Sequence, residues 1–523
     1  MSQTEAPQRP APLIDPATVA RLLRLVDATS GETHEVLSPL DAAVLVAVPQ
    51  SSEADLDAAF AAARAAQPAW AALPAAERCR SLLAFHDLLL SHQGALADLI
   101  VAETGKARRD AVEEVFHAAM TARYYGERAP GLLRPQRRRG VFPVLTRVDV
   151  LHPPTGVVGV ISPWNYPLTM AFSDGVAALA AGNTVVAKPD AQTMLTAAFG
   201  LELLRRAGVP RDAWRIVAGP GARVGVGVVE RADHVCFTGS TATGRGIAAR
   251  AGERLIGASL ELGGKNPMLV LADADLDAAA AGAVRGCFAN AGQLCVSFER
   301  LYVARPVFDA FVERFVAATR ALDLSVGLGW GVDVGTLVSA DQLAKVSGQV
   351  EDARDRGARV LAGGRARPDL APYAYEPTIL TGVTPDMACH RAETFGPVVA
   401  LYPFDTEEEA VAAANDDVHG LNASVWSRDA RRARAVAARL NTGSVNVNES
   451  FGAAFGSLDA PMGGTGESGL GRRQGPEGLY RFTQPQTVAT QRLLGFVAPG
   501  DVPRDGFAAA LTSGLRALKA VRW

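Results

Sequence analysis

The sequence predicts an α/β fold carrying parallel sheet, and three observations lead to it. From Gly156 onward short apolar runs alternate with helical stretches. The N-terminal third, rich in Ala, Leu and Glu, reads as helices. At 523 residues the chain is too long for one ordinary core, so two or three domains are expected. Buried apolar strands alternating with helices are the signature of parallel α/β sheet.

The first dozen residues, MSQTEAPQRPAP, are polar and Pro-rich with no apolar h-region. They read as a disordered start without a secretion signal. A helix is predicted over about 53–70, with Ser51 or Ser52 as its cap. Further helices are predicted around 75–90, 95–103 and 110–127. A basic loop, RPQRRRG, leads into VLTRVDVL, where Val144, Thr146, Val148 and Val150 alternate with Leu145, Arg147, Asp149 and Leu151. That alternation suits an extended strand.

Strands at 156–161, 183–187, 214–217 and 234–237 then alternate with helices near 168–181, 193–207 and 243–251, a Gly-rich turn following the third strand. A second set has strands at 268–271 and 301–304 and helices near 275–290 and 307–322. Residues 487–494 suit another strand. Phe507, Leu511, Leu515, Leu518 and Val521 recur at spacings of four and three, so the tail reads as an amphipathic helix. Its Arg516, Lys519 and Arg522 would suit a membrane surface; docking on the body or on a neighbouring subunit is preferred.

Composition narrows the function. Net charge is −3 with 20% charged and 48% hydrophobic residues, which suggests neither a nucleic-acid nor a membrane-surface partner. No uninterrupted apolar stretch approaches the ~20 residues that span a bilayer. Cys79, Cys236, Cys287, Cys295 and Cys389 are scattered and odd in number. They argue against a disulfide framework or a zinc site and for a reducing cytoplasm.

Four segments could carry chemistry, each with a bland alternative. Phe237-Thr238-Gly239-Ser240-Thr241-Ala242-Thr243-Gly244 falls where a strand ends and a helix begins, a place suited to a dinucleotide pyrophosphate or simply to a turn. Gly292-Gln293-Leu294-Cys295 offers a nucleophile or a core cysteine. Glu261-Leu262-Gly263-Gly264-Lys265 puts a carboxylate at a strand end, either a general base or an ordinary acidic turn residue. Pro163-Trp164-Asn165-Tyr166-Pro167 offers a neutral amide for an oxyanion, or a proline-rich turn.

Together, and in this order, these segments resemble the aldehyde dehydrogenase superfamily over about 54–494. The resemblance rests on PWNYP, AGNTVVAKP, FTGSTATG, LELGGKNP, NAGQLC, Glu393-Thr394-Phe395-Gly396-Pro397, GSVNVN and SGLGR. It implies an aldehyde dehydrogenase-like α/β fold. A Rossmann-type nucleotide-binding domain would span 20–137 and 154–262, and an α/β catalytic domain 263–446. Residues 447–482 would return across the cleft, and the β-strands 138–153 and 483–496 would form an oligomerisation element. An amphipathic helix would close the chain at 503–522. The alternating strand interrupting the nucleotide domain would need a partner chain over its edge, giving a homodimer or homotetramer.

The resemblance also implies roles. Cys295 would attack the aldehyde, Asn165 and the Cys295 N–H would hold the oxyanion, and Glu261 would activate water on the resulting thioester. Gly239 and Ser240 would meet the cofactor pyrophosphate and Glu393 the nicotinamide ribose. Phe395 would pack near the ring, and Lys188 would reach the adenosine ribose with Trp164 close by. NAD-preferring relatives often carry Glu three residues beyond this Lys, where Ala191 stands here, so NADP is favoured over NAD. Asp190 could turn back to the same purpose.

The wording around these motifs is similar to bacterial succinate-semialdehyde dehydrogenases, which makes that aldehyde the leading substrate. Better-known members of that activity carry Arg eight positions beyond the oxyanion Asn, where this chain has Ser173. Arg300 is expected to point away into structure. A broad-specificity aldehyde dehydrogenase, a CoA-acylating enzyme and a non-enzymatic binding protein are the alternatives. The presence of Glu261 argues against the second, and Cys295, Glu261 and Asn165 together against the third.

Overall fold

The computed structural model describes residues 13–142, 145–492, 495–498 and 500–520. The polar start, Val144, Leu494 and the last residues of the tail, including Val521 and Arg522, lie outside them. The chain divides into two compact units, one of Met1–Leu132 and Pro154–Phe482 and one of Leu133–Pro153 and Thr483–Trp523.

The first unit opens with a helix, Pro16–Leu23, and a hairpin of Thr33–Leu37 with Val44–Pro49, neither foreseen. Only one residue of THEVL is buried, so the strand shows no two-residue rhythm to read. The helix Glu53–Ala72 begins as expected, with Ser52 and not Ser51 as its cap. The Ser52 hydroxyl accepts from the Asp55 N–H while the Asp55 carboxylate accepts from the Ser52 N–H. Ser51 instead donates to the Asp27 carbonyl. Helices Ala75–Ser91, Gln93–Thr104 and Arg108–Leu132 follow.

A six-stranded sheet has the order Gly469–Leu470, Gly257–Glu261, His234–Thr238, Val157–Ile161, Thr184–Lys188, Trp214–Ile216. All neighbours are parallel except the first pair. Every residue of Val157–Ile161, Thr184–Lys188 and His234–Thr238 is buried, which explains their uninterrupted apolar lettering. From Val157–Ile161 the next two strands in the chain run to one side and the following two to the other. The order therefore reverses between Val157–Ile161 and His234–Thr238, where open α/β sheets form a ligand crevice beyond the carboxyl ends. The glycine-rich stretch expected as a turn winds into a wide helical turn, Gly221–Gly225, leading into a helix, Val226–Arg231.

A seven-stranded sheet has the order Arg359–Ala362, Thr378–Thr381, Val398–Phe404, Phe298–Ala304, Asn266–Val270, Asn422–Trp426, Ser444–Val447. It is parallel except at its first pair. Its main core joins Phe288, Phe298, Phe311 and Phe315 to the strands Asn266–Val270 and Val398–Phe404. The two sheets meet in sequence between Glu261, the last residue of one strand, and Asn266, the first of the next. Both belong to one compact unit. The stretch after 447 returns to the first sheet, where Gly469–Leu470 pairs antiparallel with Leu260 and Glu261.

In the second unit Thr146–Leu151 is the centre of a three-stranded antiparallel sheet, between Gln136–Arg138 and Gln486–Gln491. Part of the expected basic loop is thus a strand. Within its own chain Thr146–Leu151 is paired along its length by Gln486–Gln491 and over Val148–Val150 by Gln136–Arg138, correcting the expectation that a partner must cover its edge. The sheet's two edge strands are Gln136–Arg138 and Gln486–Gln491, and all six residues of the latter are exposed. The helix Arg504–Ala520 has no buried residue, and its Phe507, Leu511, Leu515 and Leu518 line an apolar recess with Phe142. Among the described residues no helix is long and apolar enough to cross a membrane.

Candidate active site

The strand Val157–Ile161 delivers Pro163, Trp164 and Asn165 to the mouth of the crevice before Pro167 starts the next helix at its first position. Asn165 is buried. Its side-chain Nδ2 donates to the Gln293 carbonyl at 3.0 Å. Its own carbonyl accepts from Lys106 Nζ at 2.6 Å and from Asn290 Nδ2 at 3.1 Å. Lys106 is fully buried, 3.6 Å from the Glu114 carboxylate and 4.0 Å over the Tyr166 ring. An amide carries two N–H bonds, so Asn165 keeps one beyond the bond to Gln293.

Cys295 lies beyond the helix Leu276–Phe288. Asn290, Ala291 and Gly292 take φ of 51°, 52° and 71°, the left-handed region, which turns the chain off the helix axis. A Cβ on Gly292 would lie 2.1 Å from the Gly396 carbonyl oxygen, so only glycine fits. Asn266 Nδ2 then fixes the carbonyls of Cys295, at 2.7 Å, and Ser297, at 2.8 Å. Cys79, Cys236, Cys287 and Cys389 are buried, whereas Cys295 is partly exposed. Exposure therefore singles out the same cysteine that the motif did. Burial pushes its thiol up to about 12, the Glu261 carboxylate adds to the rise, and Arg473 opposes it.

Glu261 ends the strand Gly257–Glu261. Burial pushes its carboxyl up to about 7, with Arg473 pulling in the other direction. Arg473 donates to Asp174 at 2.8 Å and to Thr238 Oγ1 at 3.1 Å, and Arg481 donates to the other oxygen of Asp174 at 2.6 Å. The result is a buried row of alternating charge, Glu261, Arg473, Asp174, Arg481.

Gly239 and Ser240 follow the strand His234–Thr238. Ser240 caps the helix Thr241–Glu253, its hydroxyl accepting from the Thr243 N–H at 3.3 Å. A Cβ on Gly239 would strike the Phe237 ring at 2.5 Å. The Glu393 carboxylate accepts from the Gly264 N–H at 2.9 Å. Phe395 has φ of 54°, rare for an aromatic residue, and its ring meets Trp164 edge-on at 5.7 Å. The turn is held by Glu299, which accepts from the N–H groups of Thr394 and Phe395 and pairs with buried Lys265.

A cavity of about 190 Å³ gathers Asn165, Cys295 and Glu261 with Trp164, Gly239, Ser240, Glu393 and Phe395. Lys188 ends the strand next to Val157–Ile161 and is buried outside this lining. Asp190 is engaged as a cap, accepting from the Gln192 N–H at 3.0 Å. Arg300 points into structure as expected, donating to the carbonyls of Lys265, Ala413 and Ala414. Lys106, Arg473 and Glu299 were missed. A charged residue reads by default as solvated, and only Arg473 had a signal, its place directly after SGLGR.

The sequence profile of the aldehyde dehydrogenase family matches residues 25–488. The chain belongs to the aldehyde dehydrogenase family. An aldehyde dehydrogenase of Mycolicibacterium smegmatis, named a putative succinate-semialdehyde dehydrogenase of the NADP(+) type, is 47% identical over 511 residues, 98% of this chain and 99% of its own. The glutarate-semialdehyde dehydrogenase of Pseudomonas aeruginosa is 37% identical over 468 residues, 88% of this chain and 94% of its own. The crystal structure of an NAD-dependent aldehyde dehydrogenase from Sinorhizobium meliloti superposes with a TM-score of 0.87 at 36% identity. It covers 91% of this chain and 94% of its own.

Proposed function

We propose that this aldehyde dehydrogenase oxidises succinate semialdehyde to succinate through a thioester on Cys295, with NADP as acceptor. The observation that carries the reading is the single cavity shared by Cys295, Asn165 and Glu261 with the loops of the sheet's reversal point. The two relatives described above are named for aldehydes with a distal carboxylate.

The crevice suits a nicotinamide dinucleotide. Gly239 leaves a cradle that a side chain would fill, Ser240 stands at a helix N-terminus, and Glu393 presents a carboxylate at the rim. Gly239 and Ser240 would hold its pyrophosphate, Glu393 and Phe395 its nicotinamide end, and Lys188 with Trp164 its adenosine end. When bound, it supplies the two-electron acceptor. Ala191 removes a carboxylate that would repel a 2′-phosphate, and the cap that Asp190 makes occupies one of its oxygens.

The Cys295 thiol gives up its proton, which Glu261 in the same cavity accepts and passes to solvent, as its sulfur adds to the carbonyl carbon, and the free N–H of Asn165 with the Cys295 N–H stabilises the alkoxide. Loss of the aldehydic hydrogen with its electron pair leaves the thioester. Glu261 takes a proton from water, the water oxygen attacks the acyl carbon, and the C–S bond breaks. The acid leaves and the thiolate is restored.

Aldehydes of matched length, with and without a terminal carboxylate, test the reading when assayed with NADP and NAD and no CoA. Acid formation without CoA, a higher kcat/KM for succinate semialdehyde than for butanal, and a preference for NADP are expected. Acyl transfer only with CoA would overturn the hydrolytic step. A second reading, broad specificity for aliphatic and aromatic aldehydes, is favoured by the apolar walls of a neighbouring cavity of about 300 Å³, where Phe116, Tyr166, Phe451 and Phe455 gather. Equal kcat/KM for the matched pair would select it.

The exposed edge of Gln486–Gln491 supports a homodimer or homotetramer, to be read by light scattering. The five free cysteines suit the cytoplasm.

A further inference from the structure

The neighbouring cavity of about 300 Å³ is lined by Leu294 and Val296, the residues on either side of Cys295, and by Tyr166, next to Asn165. Cys295 itself lines the other cavity, so this space borders the nucleophile's segment on a side without the cofactor-side loops, where it would take the rest of an aldehyde held at Cys295. Its lining is apolar apart from Glu113, His117 and Arg285. Burial pushes His117 down to about 3, so it is uncharged at neutral pH. Arg285 is then the sole cation among the described residues that line this space.

Arg285 is held for a purpose that packing does not explain. It sits in the last turn of Leu276–Phe288 with its side chain half exposed, so it fills no core. Its guanidinium lies 5.3 Å from the centre of the buried Phe451 ring, a cation–π contact that fixes its plane. One nitrogen, Nη2, meets the Glu113 carboxylate at 3.2 Å. A guanidinium has five N–H donors in a fixed fork, and Glu113 engages one end of it. Of the other cations near the site, Lys106 is committed to Asn165 and Glu114 and Arg473 to Asp174, and Lys345 lines the cofactor-side cavity and not this one.

We propose that Arg285 recognises the distal carboxylate of the substrate, with Glu113 and Phe451 holding the guanidinium oriented before the substrate arrives. The inference rests on the reading that the substrate is an aldehyde with a far-end carboxylate. It assigns that recognition to a helix position ten residues before the nucleophile, in a chain that has Ser173 eight positions beyond Asn165.

The test compares parent, Arg285→Met and Arg285→Lys on succinate semialdehyde and butanal. In the parent, the ratio of kcat/KM for the two should favour the semialdehyde. Arg285→Met should lower that ratio on the order of 30-fold, mainly through KM for the semialdehyde, and Arg285→Lys should restore part of it. Because the ratio is taken within each variant, general damage to folding cancels. A parent that prefers the semialdehyde together with an Arg285→Met variant of unchanged ratio overturns the role of Arg285 and leaves the substrate reading standing. A parent without preference sinks both.

Discussion

The Arg473 guanidinium lies 4.0 Å from the Glu261 carboxylate, and both side chains are buried. Glu261 faces Arg473, Asp174, Arg481 and Arg472 as its charged neighbours, with the Cys295 thiol in the same cavity. Burial raises its carboxyl to about 7, so the base is only partly ionised at neutral pH. A carboxyl with a raised value gains its working, ionised form as pH climbs. Thioester hydrolysis should accordingly rise through an acid limb near pH 7. Arg473→Gln removes the cation that favours ionisation and should move the limb to higher pH, slowing hydrolysis at neutral pH by roughly tenfold with the deficit fading as pH rises. Asp174→Asn removes a nearby negative charge and should move the limb the other way. Single-turnover hydrolysis across pH checks both, and limbs that move in the same direction would count against the arrangement.

Asn165→Ala removes the amide that is tied to the Gln293 carbonyl at 3.0 Å. Loss of one oxyanion donor costs about 3–4 kcal/mol in the barrier, so kcat should fall ~100- to 1,000-fold while the melting temperature changes little. Turnover equal to the parent would remove Asn165 from the mechanism.

Ala191→Glu places a carboxylate three residues beyond Lys188, beside an Asp190 already used as a cap. It should lower kcat/KM with NADP by roughly tenfold or more, by repulsion of the 2′-phosphate, and leave NAD equal or better. The ratio of the two cofactors is the measurement, and a ratio that stays put would place the discrimination elsewhere.

Gly292→Ala forces a Cβ to within 2.1 Å of the Gly396 carbonyl oxygen at a φ of 71°. The Gly396 turn must shift, and with it the Phe395 face of the cavity. Loss of both activity and stability is expected, by more than ~1 kcal/mol, read from thermal unfolding and turnover together.

Much of this was legible because the chemistry-bearing residues sit at strand ends. Buried strands announce themselves as apolar runs, and the few residues after each run fall at the crevice: Asn165 four positions after Ile161, Gly239 directly after Thr238, with Glu261 itself closing a strand. The partners of the buried charges were not legible. Arg473 meets Asp174 across 299 positions, and Lys106 reaches Asn165 across 59. No local pattern marks such partners, since each is an ordinary charged letter until the fold brings it to its mate. The hairpin Thr33–Leu37 with Val44–Pro49 escaped for a related reason. Its outer strand buries one residue and so carries almost no hydrophobic rhythm.

The left-handed run of Asn290, Ala291 and Gly292 has a thermal corollary. Two non-glycine residues there occupy a backbone basin they would leave if released, each at a cost of order 1–3 kcal/mol. What restrains them comes from remote stretches of chain, through Asp110 on the Asn290 N–H and Thr336 on the Gln293 side chain. Mild heating or dilute urea that loosens either tether lets the segment bearing the nucleophile uncoil locally. Inactivation should therefore run ahead of the loss of helical circular dichroism.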